Sequence, residues 1–177
     1  MWAAIAGLAQ LVIVFFGHLA YPYVRDLLLG PAYLLLLPAI AHLHIRHSGV
    51  RISGATLALL TGTAAALTGI AGALNVDAQP AAMFAQGLWW WTVGKLWAET
   101  GVVQRTFGLA TAGSAALVLL ASFFASGIAP LTALIPGVPD LALWDASRLG
   151  LAAWSLVLAF SLGRPLESPE PSSTRIA

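Results

Sequence analysis

GATLALLTGTAAALTGIAGALNVDAQPAAMFAQGLWWWTVGKLW, residues Gly54 to Trp97, decides how the chain reads. From Gly54 to Leu74 there is no charged residue, and a short polar break, NVDAQ, follows at 75–79. Pro80 then opens a second apolar run whose first charge is Lys95. At about 1.5 Å rise per residue, roughly 20 apolar residues in a helix cross the ~30 Å hydrocarbon core of a bilayer. Proline suits the first turn of a helix, where its missing N–H leaves no bond unmade. The two runs predict a hairpin of membrane-crossing helices.

Working outward, the same reading predicts four more spans. Span one covers 3–24 and span two 31–47, opening on Pro31 and kinked at Pro38. Spans three and four are 54–74 and 80–97, span five is 106–125 and span six 145–163. The N-terminal MWAAIAGLAQLVIVF lacks a basic leader, so it reads as a retained first span. The gap SGIAPLTALIPGVPDLALW, 126–144, is apolar but too rich in proline for one continuous helix. It is expected to lie in the interface, fold over the bundle mouth or form a re-entrant turn. The expected organisation is an all-α membrane bundle over 1–163 and a polar, disordered tail over 164–177, RPLESPEPSSTRIA.

Composition agrees. Hydrophobic residues make up 59% of the 177 and charged residues 8%, with a mean hydropathy of +0.87. A soluble domain of this size has too much surface per volume to hide that much apolar area. A net charge of +1 supplies no field for nucleic acid. With no cysteine there are no disulfides, thiolate metal sites or thiol redox chemistry.

The few charges are distributed unevenly. With six spans, Arg46, Arg51, Arg105, Arg164 and Arg175 fall on one side, with Lys95 near it. Arg25 and Arg148 fall on the other, with Asp26, Asp77, Asp140 and Asp145. Excess Lys and Arg in short loops marks the cytoplasmic side. Both termini are therefore expected in the cytoplasm of a cell with a multi-pass inner (plasma) membrane protein.

Helices in lipid associate through small residues that let backbones approach. Ala65, Gly69 and Ala73 recur every fourth residue in span three, and Gly108, Ala112 and Ala116 do so in span five. These two helices are expected to form the packed centre, the alternative being a dimerisation face. Trp2, Trp97 and Trp144 fit an interfacial aromatic belt. Trp89, Trp90 and Trp91 sit at mid-depth and point about 100° apart, so they cannot all face one partner. At least one faces the bundle interior, either as bulk opposite small residues or against an apolar ligand such as a quinone, carotenoid or lipid.

Four histidines raise a haem or metal reading. His42 and His44 point to opposite sides of a helix. His44 and His47, three apart, could chelate only at the cytoplasmic rim, and no metal site is predicted. His18 lies within span one and could ligate haem or a pigment, donate to a quinone, or bond a neighbouring helix. No cofactor is required by the sequence. Arg25, Asp26, Asp77, Asp145 and Arg148 gather at the outer ends of spans, with Gln86 somewhat deeper. They either face water singly or meet in an outward-facing polar pocket. Asp145 and Arg148 are spaced to pair along one helix, as are Lys95 and Glu99. Phosphate loops and the zinc-protease and nucleophile-elbow motifs are absent. Lys95, the one lysine, excludes a retinal Schiff base in the last span.

The hairpin GLWWWTVGKLWAETGVVQRTFGLATAGSAAL, residues 87–117, resembles a group of uncharacterised bacterial six-helix membrane proteins. The shared features are Gly87, Leu88 and Trp89, then Gly94, a polar turn, and Arg105 and Gly108 opening the next helix. The opening IAGLAQLVIVFFG is similar to their first span, while Gln104 stands where that group often has proline. The resemblance implies six spans and no particular activity. The leading expectation is a non-catalytic accessory subunit or apolar-ligand-binding protein, in lipid, alone or with other membrane subunits or copies of itself. The alternatives are a small transporter or channel with an outer polar vestibule, and a membrane enzyme acting on a lipid or isoprenoid.

Overall fold

The structure is a computed structural model that describes the backbone of residues 1–19, 22–127 and 141–162 and the side chains of 1–15, 28–127 and 143–162. Among the described residues all regular structure is helical. The elements are α1 (Trp2–Leu19), α2 (Pro22–Leu34), α3 (Leu36–Ser48), α4 (Ile52–Leu74), a single 3-10 turn (Val76–Ala78), α5 (Gln79–Thr100), α6 (Arg105–Ala125) and α7 (Leu141–Leu162). The tail over 164–177 and most of the proline-rich gap lie outside the described residues.

Local chemistry explains the boundaries. Pro38 lacks an N–H, and its ring crowds the carbonyl four residues back, that of Leu34. The break between α2 and α3 falls there, at Leu35, which keeps helical angles (φ −64°, ψ −14°) and bonds back to the Pro31 carbonyl at 3.2 Å. The interruption is confined to that one residue, and Leu28–Ser48 runs as one helical stretch. The Asn75 side chain ends the α4 corner by accepting from the Asp77 N–H at 3.0 Å. Gly101 ends α5 in the left-handed region (φ 67°), with its N–H on the Trp97 carbonyl at 3.0 Å. A side chain with a Cβ is strained at that φ.

Two expected boundaries are corrected. The first span does not run to Val24: α1 ends at Leu19, and Pro22 opens a new helix. Pro31 does not start the second span but lies inside α2. Pro22, not Pro31, takes the first-turn position that suits proline. The last helix also begins earlier than expected, at Leu141.

Three described helical stretches are long and apolar enough to cross a membrane: Leu28–Ser48, Ile52–Leu74 and Arg105–Ala125, of 21, 23 and 21 residues. α5 and α7 have comparable length but carry polar and charged residues: Gln79, Gln86, Lys95 and Glu99 in α5, Asp145 and Arg148 in α7. The outward surface is apolar along the bundle. Leu57, Leu60 and Leu67 of α4, Leu109, Leu117 and Leu120 of α6, and Phe84 and Leu88 of α5 are all exposed. Several polar side chains are inside instead: Gln10, Arg148 and Ser155 are fully buried. Water would disfavour that distribution, and hydrocarbon suits it.

The expected pairing of spans three and five is corrected. α5 packs between α4 and α6 and separates them. α2 and α3 lie along α4, and α1 joins α2 to α7. The small residues of α4 and α6 are at close contacts, but with other partners. Gly69 of α4 faces the Tyr33 ring of α2, and Gly62 faces Trp89 of α5. Gly108 of α6 meets α5, where a Cβ would lie 2.7 Å from the Ala98 nitrogen.

Candidate functional site

The register of α5 sets the interior. Residues four apart lie on one face, so Trp89, Val93 and Trp97 form one buried stripe. Trp90 is buried beside it, whereas Trp91 is 48% exposed. The triplet thus splits as its angular spacing requires, two rings inward and one outward. Trp154 of α7 meets the inward ones, with ring centroids 5.0 Å from Trp89, 5.5 Å from Trp90 and 5.9 Å from Trp97. Phe107 of α6 also stacks on Trp97, at 5.4 Å. The Trp154 indole donates to Thr111 Oγ1 at 3.1 Å, which fixes its ring plane. Aromatic pairs at such separations contribute about 0.5–1.5 kcal/mol beyond their buried area. These five rings form an aromatic layer across α5, α6 and α7, in which the tryptophans occupy one another's space.

Trp97 and Trp144 are not belt residues, which is a further correction. Trp97 lies within the layer, and Trp144 is buried against Tyr33 at 6.4 Å. Trp2 is 44% exposed.

Toward the Leu141 end of α7 lies a polar group. Arg148 is fully buried, and its Nη1 donates to Asp145 Oδ1 at 3.2 Å, one turn away on the same helix. This is the pairing that the three-residue spacing predicts. Gln86 of α5, also buried, donates from Nε2 to the Ser147 carbonyl at 3.2 Å and so ties α5 to α7 beside that pair. Gln86, Asp145 and Arg148 are thus brought near one another. Asp77 does not join them and is exposed on the turn after α4. Arg25, Asp26 and His18 lie in helices whose side chains there are outside the described residues, so the expected partner of His18 does too. Arg148 is an interior residue, where the sequence suggested a mouth.

On the other side of the aromatic layer, the end of α3 carries histidines. His47 is buried, and its Nδ1 lies 2.7 Å from the Leu43 carbonyl. A carbonyl only accepts, so Nδ1 carries the proton, and Nε2 of the neutral ring is an acceptor. His47 and Trp97 face each other at 6.4 Å. His44 and His47 line a small cavity of about 10 Å³ with Trp89 and Trp97. A second hollow, of about 130 Å³, lies at the same end between Trp2, His42 and Leu162. At the rim, Glu99 of α5 pairs with Arg51, the residue just before α4, and with Lys95 at 3.8 Å. The sequence spacing anticipated only the second of these. Among the described residues no three acidic or histidine side chains converge as a metal site.

The sequence offered signals for the residues it missed. Trp154 is the one tryptophan in the apolar run LAAWSLVLAF, and a lone tryptophan there is a candidate ring partner for the triplet. Tyr33 and Thr111 had no such mark, because their roles come from what other helices bring to them. Comparison of the chain with protein-family models, curated proteins and solved structures finds no match.

Proposed function

We propose that this chain is a non-catalytic accessory subunit of a bacterial inner membrane, crossing it six times with both termini in the cytoplasm. It acts by lateral contact with other membrane proteins. The carrying observation is the aromatic layer of Trp89, Trp90, Trp97, Trp154 and Phe107. It separates the Gln86–Asp145–Arg148 group from the histidines of α3 and fills the space a polar path would need. Its rings contact one another, which favours a structural use of the triplet over a quinone or pigment site. The sixfold count rests on the basic asymmetry of the loops and on α5 and α7. Their polar residues at 86 and 145–148 are turned inward or paired, so they do not prevent burial in lipid.

Purification in native-lipid particles tests this. The expected result is a particle heavier than one chain, with a second membrane protein in fixed ratio and no visible chromophore. A lone, coloured monomer would overturn it. Reporter fusions after Arg51 and Asp77 should report opposite compartments, and agreement between them would remove the six-span topology.

One observation favours a second reading, transport. Ionisable residues inside a membrane bundle mark ion or substrate pathways by default, and Arg148 is fully buried. Under that reading, proteoliposomes carry an ion or solute flux that Arg148→Gln abolishes. Under the leading one there is no flux to abolish.

A further inference from the structure

We infer, on the membrane reading of the chain but whatever its topology and partners, that the hollow between α1, α3 and α7 binds the phosphate of an anionic phospholipid, with Arg46 and His42 as donors. The hollow measures about 130 Å³ and is lined by Trp2 of α1, Ala39 and His42 of α3, and Ala159 and Leu162 of α7. On the same measure one water needs about 10–15 Å³, so the space suits a much larger group. It lies where α3 and α7 stand apart. α1 packs along α7 and touches α3, whereas α3 and α7 share no extensive seam among the described residues. One bond reaches across: Arg46 Nη1 donates to the Leu162 carbonyl at 3.5 Å. The guanidinium is thereby held against a wall residue of the hollow, and it stands one helical turn from His42 on the same face of α3.

Charge and depth select the ligand. No acidic residue lines the hollow. At this end of the bundle the described acid is Glu99, and Arg51 and Lys95 engage it. Arg46 is always charged, and its planar fork of N–H donors matches a phosphate. His42 is exposed, and an imidazole donates an N–H whether neutral or charged. A cation would be repelled by Arg46, and a wholly apolar ligand would leave both donors unused. The hollow also lies at helix ends: Trp2 opens α1, Leu162 closes α7, and His42 is about 9 Å inside the end of α3 at Ser48. That is the level of lipid headgroups, where indoles such as the half-exposed Trp2 also settle. Basic pockets between helices at this level hold anionic headgroups. The apolar walls at Ala39, Ala159 and Leu162 suit the glycerol and the first methylenes of an acyl chain, which favours a lipid over free phosphate.

Native mass spectrometry of the full chain, released from nanodiscs of equal phosphatidylglycerol and phosphatidylcholine, tests this. The chain should retain phosphatidylglycerol in preference to phosphatidylcholine. Arg46→Gln should weaken that retention at least about tenfold, the scale of one hydrogen bond to a charged group. Ala159→Leu keeps both donors and narrows the hollow, and it should weaken retention too. Arg105→Gln removes an exposed charge from the same end of the bundle but outside the lining, and should leave the lipid bound. No preference between the two lipids would overturn the site. So would equal losses from Arg46→Gln and Arg105→Gln, which would mean a diffuse attraction of the basic end for anionic lipid. Displacement of the lipid by millimolar inorganic phosphate would assign the hollow to the free ion and overturn the lipid. The lipid preference of the unmodified chain and the Ala159→Leu comparison stand even if Arg46→Gln does not fold. A chain that never enters nanodiscs would refute the membrane reading, and the site with it.

Discussion

Two helix seams use glycine in opposite ways. Between α5 and α6, glycine brings backbone onto backbone. A Cβ on Gly94 would lie 2.6 Å from the Ala112 nitrogen and 2.8 Å from the Gly108 carbonyl oxygen. Between α4 and its neighbours α2 and α5, glycine makes sockets for rings: Gly69 receives Tyr33, and Gly62 receives Trp89. The sequence pattern, small residues at four-residue spacing, is the same in α4 and α6. A stripe of small residues reports that something comes close, and only the partner decides whether it is a backbone or a side chain.

The difference predicts unequal responses to one chemical change. At Gly94, a methyl group can be accommodated only by moving α5 and α6 apart, because the atoms it would meet are all main-chain atoms of α6. Gly94→Ala should cost about 3 kcal/mol, the upper end of ordinary overpacking. Reversible unfolding in mixed micelles would measure it. A loss under about 1 kcal/mol would mean the seam is looser than its geometry indicates.

At Gly69 the obstacle is a ring on a rotatable side chain. Gly69→Ala should cost less, about 1–2 kcal/mol. Most of that cost should vanish in a Tyr33→Leu background, a coupling in the range of about 0.5–3 kcal/mol seen for touching residues. Side-chain truncation cannot rescue Gly94→Ala in the same way. If Gly69→Ala costs the same with and without Tyr33, the socket is not what limits it, and the contrast between the seams fails.

These particulars also say what could be read before the fold. The charge-free runs that became α4 and α6 were legible because hydropathy measures the transfer of one segment into lipid, and each segment passes alone. The Asp145–Arg148 pair was legible because helical spacing alone brings the two together. The position of α5 between α4 and α6 was not, since α5 carries Gln86, Lys95 and Glu99 and its partners are set by tertiary packing. The burial of Arg148 was hidden for a related reason. A charge near the end of an apolar run reads as a loop charge, and only the neighbouring helices bring it inside. Pro22 and Pro31 show the remaining limit: local chemistry says proline can open a helix, and flanking sequence does not say which proline does.

A smaller effect separates the aromatic layer from the outward ring of the same triplet. Trp154→Phe removes the bond to Thr111, leaving its hydroxyl among apolar groups, and thins the contact with Trp89 and Trp97. The loss should be about 1 kcal/mol, the ordinary net value of one such bond. Trp91→Phe should be within about 0.5 kcal/mol of the unmodified chain, as surface changes usually are. Lipid-borne quenchers should dim Trp91 fluorescence far more than Trp154. Equal quenching of the two would contradict the inward and outward assignment.

The smallest expected change has the opposite sign. Gly113 lies on α6 five residues after Gly108, yet it is exposed, and a Cβ there would meet nothing within 4 Å. Packing therefore does not explain a glycine at this position, and in a helix interior glycine is less favourable than leucine by about 0.5–1 kcal/mol. Gly113→Leu should raise the stability of the purified chain slightly, by up to that amount, whereas Gly94→Ala lowers it. The same variant also probes the proposed accessory role. If a partner helix packs against the outer face of α6 in the native membrane, leucine at 113 should weaken that association while leaving the isolated bundle as stable or more so. Lower stability of the isolated bundle would mean that α6 has a neighbour within this chain at Gly113, and the comparison of one helix's buried and open glycines would no longer hold.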